Sequence, residues 1–356
     1  MPRRSPTRPR ARTPTPASSP GSRRSSNACA SSSARSTSPG RTTCASGCSG
    51  PPSSGVTVMA SPIASSLLAL ATALRVVATT PDVADMTRQI GGDRVEVTTL
   101  ASGTQDPHKV PVKPSFVTKL NRADVLVVQG LGLEHAFLPA LLEAARNPRI
   151  APGAKAYIDS SLFVETLDVP SSQDRSQGEL HPLGNPHFNM DPVQGKLMAR
   201  AIAEGLERVD PEGASVYREG LARFTAILDE KIPVWLELAK PLRGRKAVSY
   251  HQDLVYFAHR FGLVLEGTIE TRPGVPATPR HVEELIARMK VEDVRLVIRE
   301  VAYEMPLAET IAGRTGGRVA TVATLTGGLP GAESYVEFIE ANLRAVLAAA
   351  GDGDPR

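Results

Sequence analysis

From Leu74 onward the chain alternates between two apolar patterns. Short runs rich in Val, Ile and Thr read as buried strands: 74–80 (LRVVATT), 95–101 (VEVTTLA), 124–130 (DVLVVQG) and 155–160 (KAYIDS). Between them lie stretches with helical spacing, around 83–92, 116–123 and 135–147. The same alternation returns after Arg243-Gly244, with strands predicted at 246–251, 263–270, 294–300 and 318–324. Helices are predicted at 253–262, 279–290, 306–317 and 333–350. Strands that alternate with helices form βαβ units and parallel sheets. Four strands therefore precede, and four follow, a long amphipathic stretch.

That stretch opens at Asp210-Pro211 and runs to about Leu242. Asp at an N-cap with Pro at the first helical position is a strong start signal, and Asp191-Pro192 opens a shorter helix in the same way. Pro233 should kink or break the long helix, since it lacks an N–H to donate. The expected architecture is two (βα)4-type lobes, 74–209 and 243–352, joined by a linker helix at 210–242. A loop from about Ser161 to Asn189 is long for a compact domain, and such loops tend to carry function.

The first 58 residues differ in kind. They are rich in Ser, Pro, Arg and Thr, with nine Arg and no acidic side chain. Such a segment buries too little apolar surface to offset its ordering entropy, so a disordered tail is expected, or an untranslated one with Met59 as the true start. Residues 60–70 form a short apolar run, and Ala71-Thr72-Ala73 fits a signal-peptidase site, so 59–73 reads as a signal peptide. The formal charge of +4 belongs to the tail: of 41 basic residues, removing its nine leaves 32, against 37 acidic. Without a basic stripe interleaved with aromatics, nucleic acid is not an expected partner. The cysteines Cys29, Cys44 and Cys48 all lie in the tail. A transition-metal site in the folded part must then use imidazoles and carboxylates.

In open α/β sheets, ligands bind beyond the carboxyl ends of the strands. The metal-competent side chains expected there are His108, His187, His251 and Glu333. Three neutral imidazoles and one carboxylate suit Zn²⁺ in a tetrahedral shell. A carboxylate in place of one imidazole would favour Mn²⁺, so His251 carries most of the zinc assignment. Glu300, at another strand end, is an alternative fourth ligand or an acceptor for an imidazole N–H. Glu333 could equally be a first-turn acid favoured by the helix dipole. His181 reads as a solvated loop residue, His135, His259 and His281 as structural or exposed, and Trp235 as core.

Several segments together resemble the cluster A-I zinc and manganese solute-binding proteins of ABC importers. Asp106-Pro107-His108 followed by Lys113-Pro114-Ser115 is similar to that family's DPH segment and the start of its next helix. Ala123-Asp124 with Gly130-Leu131-Gly132-Leu133-Glu134, Asn185-Pro186-His187-Phe188 with Asp191-Pro192, and His251 with Tyr256-Phe257-Ala258 and Arg260-Phe261-Gly262-Leu263 resemble three further family segments. Glu333-Ser334-Tyr335 sits where the family has its last acidic position. The resemblance covers about 74–350. It implies that His108, His187, His251 and Glu333 ligate the ion and that the long helix is a rigid linker. It also implies a periplasmic receptor, monomeric, that hands Zn²⁺ to a membrane permease and catalyses nothing. No lipobox-type Cys lies in the apolar run before Leu74, so a soluble form is expected. Two alternatives stay open: a Mn²⁺ or Fe²⁺ receptor, and a zinc hydrolase with Glu333 as general base. A closed four-ligand shell would leave no water to activate, whereas a catalytic zinc keeps an open position.

Overall fold

The computed structural model describes residues 73–169, 181–272 and 274–351. The expected tail and all of the signal peptide but Ala73 lie outside them. The apolar runs become two four-stranded sheets, each wholly parallel. The first contains β1 (Leu74–Ala78), β2 (Val95–Thr99), β3 (Val125–Val128) and β4 (Tyr157–Asp159), in the order β2-β1-β3-β4. The second contains β5 (Lys246–Ser249), β6 (Val264–Thr268), β7 (Leu296–Glu300) and β8 (Arg318–Val322), in the order β6-β5-β7-β8. In β3 every residue is buried, as expected for a parallel strand covered on both faces.

The crossovers of the first sheet are α1 (Pro81–Gly91), α2 (Pro114–Arg122) and α3 (Leu138–Ala145), followed by α4 (Pro192–Val209). The long helix α5 spans Ala214–Leu238. The second sheet carries α6 (Val255–Phe261), α7 (Pro279–Val291), α8 (Met305–Thr315) and the closing α9 (Tyr335–Ala350). Helix α5 runs unbroken through Pro233. The ring sits on the exposed face, and so does Asp229, whose carbonyl loses its helical partner and can bond water instead. Proline is tolerable here because no buried carbonyl is orphaned.

In each sheet the chain steps outward from the first strand and then returns past it. The loops beyond the carboxyl ends therefore diverge and leave a crevice at that reversal. The two halves share one hydrophobic cluster, which includes Val76 and Val127 from one sheet and Ile298 and Phe338 from the other half. Polar contacts add to this. Asp82 of α1 accepts from Thr326 Oγ1 at 3.1 Å, and Asp191, the N-cap of α4, accepts both arms of the Arg260 guanidinium at 2.7 and 2.8 Å. Gly103, after β2, lies against Gly327 and Gly328, after β8; a Cβ there would come within 2.3 Å of the Gly327 carbonyl carbon.

Candidate metal centre

Two of the histidines are held by the same local device. In Asp106-Pro107-His108 the His108 amide donates to Asp106 Oδ1 at 2.9 Å. In Asn185-Pro186-His187 the His187 amide donates to Asn185 Oδ1 at 3.0 Å. An Asx side chain closing on the backbone two residues ahead, with proline restricting the residue between, makes a stiff turn. Each turn follows a strand of the first sheet, β2 for His108 and β4 for His187. His251 lies just beyond β5, where its carbonyl accepts from Ser249 Oγ at 2.6 Å.

These three imidazoles converge. His108, His187 and His251 are 3%, 2% and 4% exposed, and one nitrogen from each lies within 4.8 Å of the others. The Nε2 atoms of His108 and His187 are 3.0 Å apart. Two nitrogens bound tetrahedrally at Zn–N distances of 2.0–2.1 Å would sit about 3.3 Å apart, so this pair needs little adjustment to share an ion. Ring centroids are separated by 5.0, 5.6 and 5.8 Å.

The electrostatics divide the three. Burial, then repulsion from neighbouring imidazoles, pushes His108 and His187 well below the ordinary histidine value. Both are neutral at pH 7 and ready to ligate. At His251 burial pulls the same way, but its hydrogen bond to Glu270 and the nearby Asp253 and Glu270 charges outweigh it, and the net shift is upward. The contact is His251 Nδ1 to Glu270 Oε2 at 2.6 Å. With Nδ1 donating its hydrogen to the carboxylate, Nε2 is left as the ligating atom.

Glu333 is not brought to this group. It is exposed in the loop before α9, and its Oε1 accepts from the Gly331 amide at 3.0 Å. Ser334 caps α9 through a reciprocal bond with Glu337, which leaves Glu333 outside the helix and facing solvent. The chain that turns towards the crevice after β8 is Thr324–Thr326: the Thr324 carbonyl accepts from Asn189 Nδ2, and Thr326 donates to Asp82. Glu300 is fully buried at the end of β7, but it too is absent from the group. Burial, then the neighbouring Asp253, pushes its carboxyl well above the usual range.

Three residues near the centre were given other roles, or none, by the sequence reading. His181 is not a solvated loop residue: it is partly buried, with its ring 5.0 Å from His108. His135 does stay exposed, and packs 5.7 Å from His181. Glu270 lies at the end of the strand predicted at 263–270, so the strand-end rule that selected His251 could have found it. Tyr303 was not singled out; it stacks on Tyr250 at 4.6 Å and on His251 at 5.8 Å.

Two lobes with matching parallel sheets, and a buried three-imidazole cluster fed by loops of both, define a metal-binding protein of the receptor type. The family described as zinc-uptake complex component A, periplasmic (ZnuA) matches residues 76–349. The chain belongs to this family of metal-binding components of ABC importers, which deliver metal to a membrane permease and are not enzymes. The crystal structure of ZnuA superposes with a TM-score of 0.66 at 26% identity, covering 78% of this chain and all of that one. FpvC from Pseudomonas aeruginosa, solved with Mn²⁺, gives a TM-score of 0.66 at 21% identity over 78% of this chain and 98% of its own. The iron ABC transporter substrate-binding lipoprotein MtsA of Streptococcus pyogenes serotype M1 is 24% identical over 286 residues, which is 76% of this chain and 86% of MtsA. The manganese counterpart PsaA of Streptococcus pneumoniae serotype 4 is 24% identical over 279 residues, 76% of this chain and 87% of PsaA.

Proposed function

We propose that the chain captures Zn²⁺ in the periplasm with His108, His187 and His251 and passes it to the permease. The observation that carries this reading is the donor set: three buried imidazoles converge, and among the described residues no carboxylate belongs to the group. Imidazole suits zinc, whereas manganese favours carboxylate and carbonyl oxygen. Export by a signal peptide ending near Ala73, and action as a monomer, complete the proposal.

The test is competition against a chromophoric chelator, with native mass spectrometry of the secreted chain reporting metal, stoichiometry and N-terminus. Zinc should displace manganese and iron at one ion per chain. His251→Ala should lose tight binding, while Glu333→Ala should bind as the wild type does. Retention of manganese over equimolar zinc would favour the other members of the class. Tight binding by His251→Ala would remove the ligand assignment.

A further inference from the structure

We propose that Glu270 is the positioning residue of this centre, and that its carboxylate also ties the centre to the surface turn between β6 and α7. The proposal rests on the metal-capture reading above and deepens it.

Glu270 continues the edge of β6: its amide donates to the Tyr250 carbonyl at 3.0 Å, which sets it alongside His251. The side chain is 6% exposed. Its Oε2 receives two hydrogens, from His251 Nδ1 at 2.6 Å and from the Gly274 amide at 3.1 Å. Gly274 holds a left-handed φ of +75°, a conformation that glycine adopts without strain. The turn around it closes on itself: the Val275 amide donates to the Arg272 carbonyl at 2.9 Å, and the Thr278 amide to Thr271 Oγ1 at 3.4 Å. Arg272, Gly274, Val275 and Pro276 are all exposed. The bond from Gly274 to Glu270 thus links a solvent-facing turn to the oxygen that orients an ion ligand.

His108 and His187 have no such support among the described residues, where their buried Nδ1 atoms have no hydrogen-bond partner. His251 is therefore the ligand whose ring plane and tautomer are set from behind. A carboxylate that accepts the Nδ1 hydrogen also raises the basicity of Nε2, which strengthens its bond to a metal. When an ion fixes the His251 ring, the carboxylate is fixed with it, and so is the Gly274 amide. The occupied and empty proteins should then differ on the outside at residues 271–278.

The experiment measures zinc affinity and hydrogen–deuterium exchange in the wild type, Glu270→Ala, Glu270→Gln and His251→Ala. Removing an outer-shell partner of this kind typically costs about 10–100-fold in affinity, and that loss is expected for Glu270→Ala. Glu270→Gln should recover most of it, because the amide oxygen still accepts from Nδ1. Zinc should slow exchange in the 271–278 turn of the wild type and leave it unchanged, and fast, in Glu270→Ala. The proposal is overturned if Glu270→Ala binds zinc as tightly as the wild type while His251→Ala does not. It is equally overturned if the wild-type turn exchanges at the same rate with and without zinc. Zinc bound by neither the wild type nor any variant would instead refute the capture reading beneath it.

Discussion

Lowering the pH towards 6 tests whether the three imidazoles are as unequal as their surroundings imply. An ion at Nε2 requires each histidine to give up any proton held there, so binding is linked to proton release. Three ordinary histidines titrating near 6.5 would together release about two protons per zinc at pH 6. Here His108 and His187 are held well below that value and contribute almost nothing, while His251 is held above it and contributes nearly one. The expected release is therefore about one proton at pH 6. Between pH 6 and pH 5, affinity should fall about tenfold, the 1.4 kcal/mol per unit of a single linked proton, rather than the several hundredfold of three free imidazoles. Isothermal titration at pH 6 in buffers of different ionisation enthalpy gives the proton count directly, as the slope of apparent enthalpy against buffer enthalpy. A count near two, or near zero, would refute the assignment of one raised and two depressed histidines.

Two further perturbations test how the halves are joined. Arg260→Met strands the Asp191 carboxylate, whose side chain is 1% exposed, with its Val193 amide bond but no cation. Breaking a buried pair from one side costs roughly 3–5 kcal/mol, and the partly exposed arginine places the expected loss near the lower figure. A urea midpoint shift worth less than about 1 kcal/mol at unchanged slope would show that the pair does not hold the halves. Gly103→Ala puts a methyl 2.3 Å from the Gly327 carbonyl carbon and 2.5 Å from the Gly328 nitrogen, backbone atoms that cannot rotate away. Overpacking of this kind costs about 1–3 kcal/mol, and because His108 shares the loop, zinc affinity should fall with the melting temperature. A variant that melts and binds like the wild type would show that the two loops separate freely.

The strands were legible from short runs rich in β-branched residues: the central β3 is buried throughout, as a parallel strand covered on both faces should be, and the edge strands β2 and β6 are only partly buried. His108 and His187 were legible from their place after strands and from the resemblance of their Asp-Pro-His and Asn-Pro-His segments, and His251 from the end of a strand. Glu333 lies away from the three imidazoles for a local reason. An acid near a predicted helix start resembles a ligand position, but Ser334 proved to be the cap and turned its neighbour outward. Contacts between distant segments were not legible. Nothing in spacing sets His181 against His108, or Glu270 against His251. Of the kink or break expected at Pro233, the break did not form, since that depended on whether Asp229 faces water or core.

The shared anchorage of the three imidazoles also bears on how a cargo ion could leave. His108 and His187 ride on loops of the first sheet, His251 on the second. If the three hold the ion as proposed, a lever that draws the halves apart would move His251 away from the other two imidazoles. Resistance to that lever comes from the guanidinium clamp at Asp191, the Asp82–Thr326 bond and the seam at Gly103. Release of the cargo would then turn on the stiffness of these links.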